Sequence, residues 1–178
     1  LLIPTEAYWI RAITGKEFIL VFGHTLFSSF IATAAAIVFG FLFAYGINYT
    51  DMPCKRFFQV VALLPTMAPS VVTGLAFIML FGRRGFITWQ LLHLKVDLYG
   101  PFGLWVAQTI AFFPLAYITI SGVLKSISPN LELAAQNLGA RGWYLFRTVT
   151  LRLATPGLAS AFLLVAINSL ADFGTPML

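Results

Sequence analysis

Charged side chains interrupt this sequence in a way that leaves four long silent stretches: residues 18–50, 57–82, 98–124 and 153–171 contain no Asp, Glu, Lys or Arg. A bilayer core about 30 Å thick is crossed by roughly 20 apolar residues in a helix, and each stretch reaches or nearly reaches that length. Four membrane-crossing helices are therefore predicted, over about 20–47, 57–81, 102–124 and 154–177.

The polar and small residues inside these spans separate their tasks. In the first, Ser28, Ala32, Ala36, Gly40 and Ala44 recur at a spacing of four and form a stripe that lets another helix approach closely, the expected means of association in lipid. The second holds Pro65, Pro69 and Gly74, so its hydrogen-bond ladder is interrupted where unpaired carbonyls are costly. Pro114 lies in the third, Asn168 and Asp172 in the fourth. Broken helices and buried polar groups line solute paths in transporters, which makes Pro65, Thr66, Pro69, Ser70, Asn168 and Asp172 the candidate path. The same prolines are equally explained as kinks that serve packing. Asp172, the one charged residue placed within a span, is either part of that path or a carboxylate reaching interfacial water from the helix end.

The connections differ in kind. Residues 1–17 mix Tyr8, Trp9, Arg11 and Lys16 with apolar neighbours, a composition suited to the membrane interface. Residues 82–101 include the apolar run Phe86–Leu94, too short to span and read as a short surface helix. Residues 125–152 carry start and stop signals for two short helices. Ser128 caps and Pro129 opens the first, Leu131, Ala134, Ala135 and Leu138 share one face, and Gly139 supplies a left-handed end. The second runs from about Gly142 to Thr150, with Trp143, Phe146 and Val149 on one face and Arg141, Arg147 and Arg152 in and around it. Such a knob either sits in a groove of a partner or rests on the bilayer interface.

Composition agrees with the spans: 60% of residues are apolar and 10% charged, where soluble domains carry about 25% charged residues. The net charge of +5 is dispersed in pairs such as Lys55-Arg56 and Arg83-Arg84, not clustered as a phosphate footprint requires, so nucleic-acid binding is not expected. Cys54 has no second cysteine for a disulfide or metal site. His24 and His93 are far apart, HExxH does not occur, and no Ser or Cys has an obvious base near it, which disfavours a membrane-embedded enzyme. GxxxxGK[ST] is also missing, so any ATP chemistry falls to a partner. The opening at Leu1 without Met, and an ending with no polar tail after the fourth span, give the expectation of a piece of a longer chain, and no signal peptide is recognisable.

The run Glu132-Leu133-Ala134-Ala135-Gln136-Asn137-Leu138-Gly139-Ala140, followed by Phe146, Val149, Leu151 and Pro156-Gly157, resembles the cytoplasmic "EAA" loop of permease subunits of ATP-binding-cassette importers. The match departs twice: Leu133 stands where the motif has its glutamate, with Glu132 one place earlier, and Arg152 replaces the usual proline after Leu151. The ending Ser169-Leu170-Ala171-Asp172-Phe173-Gly174-Thr175-Pro176 is similar to the ferric-iron branch of that family. The resemblance covers roughly Gly23 to Leu178. It implies an all-α integral membrane protein, a polytopic helix bundle with a cytoplasmic coupling-helix loop, located in the bacterial cytoplasmic (inner) membrane. Glu132, Ala134, Ala135, Gly139, Ala140 and Arg141 would form the ATPase-coupling site. Implied partners are ABC ATPase subunits, an extracytoplasmic solute-binding protein and a second permease half or copy, with ferric iron as the solute and no cofactor or metal held by the chain. The orientation rests on the resemblance, since six basic residues would lie inside against five outside. A channel-like or structural subunit shares the spans but does not require the amphipathic loop.

Overall fold

The computed structural model describes residues 15–82, 85–91, 100–172 and 175. The expectations for the lead-in at 1–14, for Arg83, Arg84, His93 and Lys95, and for Phe173, Gly174 and Pro176 lie outside the described residues. The protein is an all-α, polytopic membrane chain; among the described residues there is no strand, and four helical segments are long and apolar enough to cross a membrane.

Helix α1 (Lys16–Tyr49) is the longest element. A turn at Cys54, left-handed with φ 57°, opens α2 (Lys55–Leu63), a 3₁₀ turn (Leu64–Met67) follows, and α3 (Ser70–Phe81) resumes. A six-residue π-helical segment, Phe86–Leu91, precedes α4 (Pro101–Ser126), which starts at Gly100 with Pro101 in the first turn. Helix α5 (Pro129–Asn137) is short, and α6 runs from Gly142 to Ala171 with a π-turn at Phe146–Thr150.

The second predicted span is thus divided. Pro65 and Pro69 bracket one interruption: Ala68, preceding Pro69, is pushed to extended backbone (φ −104°, ψ 138°), as a residue before proline must be. The apolar segment long enough to cross is Val71–Thr88, not 57–81. The second short helix of the 125–152 loop is not separate either. No breaker stands between Gly142 and Leu151, so it continues as the first turns of α6.

The bundle core lies between α1, α4 and α6. Ala32, Ala36, Gly40 and Ala44 of the stripe are buried, and a Cβ on Gly40 would lie 2.8 Å from the Ala116 Cβ and 3.1 Å from the Tyr117 nitrogen. Only glycine allows that approach. Trp105 Nε1 donates to Ser28 Oγ at 3.0 Å and Asn48 Nδ2 to Ser121 Oγ at 2.9 Å, so numbers rise together and α1 and α4 run parallel. Phe30 meets Phe162 (5.8 Å) while Phe41 meets Phe146 (6.0 Å), which makes α6 antiparallel to α1. Pro114 is fully buried inside α4, where it serves packing.

Candidate functional site

Three helix ends converge beyond the bundle: the end of α1, all of α5 and the start of α6. Helix α5 begins after Ser128 with Pro129 in its first turn; Ser128 sits at the N-cap but makes no side-chain cap hydrogen bond. Its end is closed by a Schellman turn. Gly139 N donates to Gln136 O at 2.9 Å and Ala140 N to Ala135 O at 3.0 Å, with Gly139 at φ 91°, a conformation that a side chain disfavours. Ala135 therefore contributes its carbonyl to the turn, and Ala140 its amide. Gly142, also left-handed at φ 52°, follows Arg141, which caps α6 in extended backbone. The chain reverses within a few residues and α6 starts beside α5.

The apolar face of α5 is not buried. Leu131, Ala134 and Leu138 of that face are exposed, Leu138 to 89%, as are Leu133 on another side of the helix and Trp143 and Tyr144 on the first turn of α6. Arg141 and Arg147 are exposed beside it. Glu132 and Ala135, one helical turn apart, face inward and are half-buried. Thr150 Oγ1 donates to Glu132 Oε1 at 2.8 Å, and Tyr49 at the end of α1 is near the same carboxylate. Aromatic rings continue this contact into the bundle: Tyr45 stacks on Tyr49 (5.0 Å, 8°) and meets Phe146 edge-on at 5.1 Å. Of the six residues of the predicted coupling site, Ala134, Gly139 and Arg141 lie on the surface, Ala135 and Ala140 shape the turn, and Glu132 points away from the exposed face.

The predicted path residues are not gathered in one place. Pro65 lines a cavity of about 820 Å³ between α1, α4 and the break, together with Phe39, Phe43, Met52, Phe102 and Trp105. Its walls are apolar; the hydroxyl of Thr109 is used by Trp105 O at 2.6 Å. Thr66 is exposed and its hydroxyl donates to Leu63 O at 2.6 Å, while Pro69 is exposed at the start of α3 and Ser70 is its first residue. Asn168 is exposed on α6 with its amide on Leu164 O (2.8 Å). Asp172 lies just past the last residue of α6 and not within it; its Oδ1 accepts from Thr175 N at 3.4 Å. The residues that sequence reasoning did not single out are Thr150 and Tyr49. Their signal was the i, i+4, i+7 face of Ser128, Glu132 and Ala135, which marks the inner side of α5.

Comparison with known proteins adds what the geometry leaves open. Residues 36–176 match the family described as "Binding-protein-dependent transport system inner membrane component". The chain is 34% identical to the ferric transport system permease protein of Actinobacillus pleuropneumoniae, over 93% of this chain and 25% of the relative. It is 31% identical to the sulfate transport system permease protein of Escherichia coli (94% of this chain, 60% of the relative) and 34% identical to the molybdenum transport system permease protein of the same organism (82% and 65%). The chain thus spans about a quarter of the ferric relative and less than two-thirds of the other two.

Proposed function

The chain belongs to the family of binding-protein-dependent transport system inner membrane components, and on that premise we propose that it is the permease subunit of an ABC importer for ferric iron. It is a transport subunit: ATP binding and hydrolysis take place on a partner ATPase, an extracytoplasmic binding protein delivers the solute, and a second permease half or copy completes the pore. The observation that carries this reading is the α5–α6 turn. A Schellman turn ends α5, and around it Leu133, Leu138 and Trp143 are exposed in a stretch that also carries the exposed Arg141 and Arg147. Burying one such side chain against a partner contributes about 1.5–3 kcal/mol, enough for a few of them to hold an ATPase subunit.

Iron rests on the ferric relatives, and the sulfate and molybdenum relatives define the competing solutes. The path is assigned to the break, Pro65, Thr66, Pro69 and Ser70, with Asn168 and Asp172 nearer its outer mouth. The test is uptake into proteoliposomes carrying the full-length protein and its co-purifying ATPase. Ferric iron presented on the cognate binding protein accumulates only with ATP; accumulation of sulfate or molybdate in its place would reassign the solute, and ATP-independent flux of any of the three would make the chain a channel.

A further inference from the structure

Many threonines in the helices of this protein follow one habit; Thr33, Thr88 and Thr150 do not, and of these Thr150 alone reaches a charged side chain. Thr25, Thr109, Thr119, Thr148 and Thr155 each donate their hydroxyl back to the carbonyl four residues earlier in the same helix, at 2.6–2.9 Å. This is the ordinary local alternative for a hydroxyl with no better acceptor. Thr150, only 2% exposed, instead sends its hydroxyl out of α6 to Glu132. It does so at the end of the π-turn, Phe146–Thr150, an irregularity that persists in helices where outside contacts support it. The acceptor is a carboxylate, so the bond is charge-assisted and of the stronger kind.

Glu132 is also the residue that departs from the family pattern by one position. Leu133, standing where the motif has its glutamate, is 54% exposed on the outer face. Turning a helix by one residue rotates a side chain by about 100°, and here that difference carries the carboxylate from the outer surface to the inner one. There it meets the π-turn of α6 through Thr150, and that turn meets the end of α1, where Phe146 lies edge-on to Tyr45, itself stacked on Tyr49.

We propose that Glu132 is a positioning residue, not a docking contact: its carboxylate clamps α5 to the π-turn of α6, whose Phe146 packs on Tyr45 near the end of α1, so that a displacement of α5 is delivered to two membrane spans together. The proposal rests on the reading of α5 as the ATPase-docking helix. Without the clamp, α5 still presents Leu133, Leu138 and Trp143, but moves on its Schellman turn without carrying the spans.

The experiment uses the full-length protein with its ATPase and binding protein in proteoliposomes, and measures three quantities: ATPase affinity for the membrane, solute moved per ATP hydrolysed, and amide exchange of residues 133–138 in the permease alone. Glu132→Ala and Thr150→Val are each expected to lower solute moved per ATP about tenfold and to speed exchange about tenfold, the loss of one charge-assisted hydrogen bond. ATPase affinity stays within about twofold, because the docking face is untouched. Thr150→Ser, which keeps the donor, retains wild-type coupling, Glu132→Gln, which keeps a neutral acceptor, loses less than Glu132→Ala, and the double variant Glu132→Ala/Thr150→Val is no worse than either single one, as for partners in one interaction. The proposal is overturned if Glu132→Ala weakens ATPase affinity while Thr150→Val changes nothing, the pattern of a docking contact, or if both variants exchange and couple as wild type. Failure of the docking reading shows separately, as a wild-type chain that retains no ATPase; the exchange of residues 133–138 then still decides whether the clamp exists.

Discussion

Large apolar side chains are exposed along the spans and at the α5–α6 turn, and the same exposure has opposite energetic meaning in the two settings. On α1, Leu20, Val21 and Val38 point outward from a span. Lipid there is as apolar as they are, so covering them with protein gains little, and the close contacts are left to Gly40 and the alanines. At the α5–α6 turn, Leu138 and Trp143 are more exposed still, but among Arg141, Arg147 and Arg152, where the alternative neighbour is water. That exposure costs free energy until a partner covers it. The difference teaches that an exposed leucine is read against the solvent at its depth, and that exposure at the turn is the costlier of the two.

The comparison is broken most severely by a charge. Val38→Asp should cost about 3 kcal/mol of insertion free energy if Val38 faces hydrocarbon, which a glycosylation-reporter insertion assay reads directly; full insertion of that variant would place Val38 against protein or water instead. Trp143→Asp carries the same charge and should insert normally. On the proposed docking of an ATPase at the turn, its effect falls on partner binding, about 2 kcal/mol or thirtyfold weaker retention of the ATPase, measured by titrating ATPase onto permease proteoliposomes. Unchanged retention would mean that the turn rests on the bilayer surface.

Gly139→Ala sharpens the second half of the comparison. A Cβ there meets nothing within 4 Å, so the cost is the left-handed backbone alone, about 1–2 kcal/mol. It should appear as faster amide exchange at Gly139 and Ala140 with no change in insertion; protection equal to wild type would show that the turn tolerates another geometry. Trp105→Phe is the smallest expected effect, removing the hydrogen bond to Ser28 at a cost of about 0.6 kcal/mol. Steric-trap unfolding in bicelles should resolve it, and a loss several times larger would mean that the indole also supports the wall of the neighbouring cavity.

The apolar helices were largely legible because lipid excludes charge, so runs without Asp, Glu, Lys or Arg follow them; the second was not, because the chain is divided at Pro65–Pro69 and the segment long enough to cross is Val71–Thr88. Gly139 was legible for a local reason: a helix stop with a left-handed glycine is written in a few residues, and the Schellman hydrogen bonds realise it. The inner face of α5 was not. Periodicity sets Leu131, Ala134, Ala135 and Leu138 on one side, but their burial depends on a surface outside this chain, and within it Leu131 and Leu138 are exposed. Continuity of α6 from Gly142 was missed because the change from amphipathic to uniformly apolar composition near Leu151 resembles a boundary, whereas the backbone passes it through a π-turn. Asp172 shows the limit of hydropathy windows: the charge-free run ends one residue before it, and so does the helix.

The length of α1 has a mechanical consequence. The helix approaches α4 closely at Gly40, where Ala116 sits against the backbone. From there the helix extends roughly 13 Å to Tyr49 and roughly 36 Å to Lys16, at 1.5 Å per residue. A stiff rod held at that point is a lever with unequal arms, and the short arm ends beside Glu132. A displacement of 1 Å imposed at the Tyr49 end would swing the Lys16 end by nearly 3 Å in the opposite direction, about the ratio of those arms. The glycine that allows two helices to touch also sets the fulcrum, and moving it by one turn would change the gain.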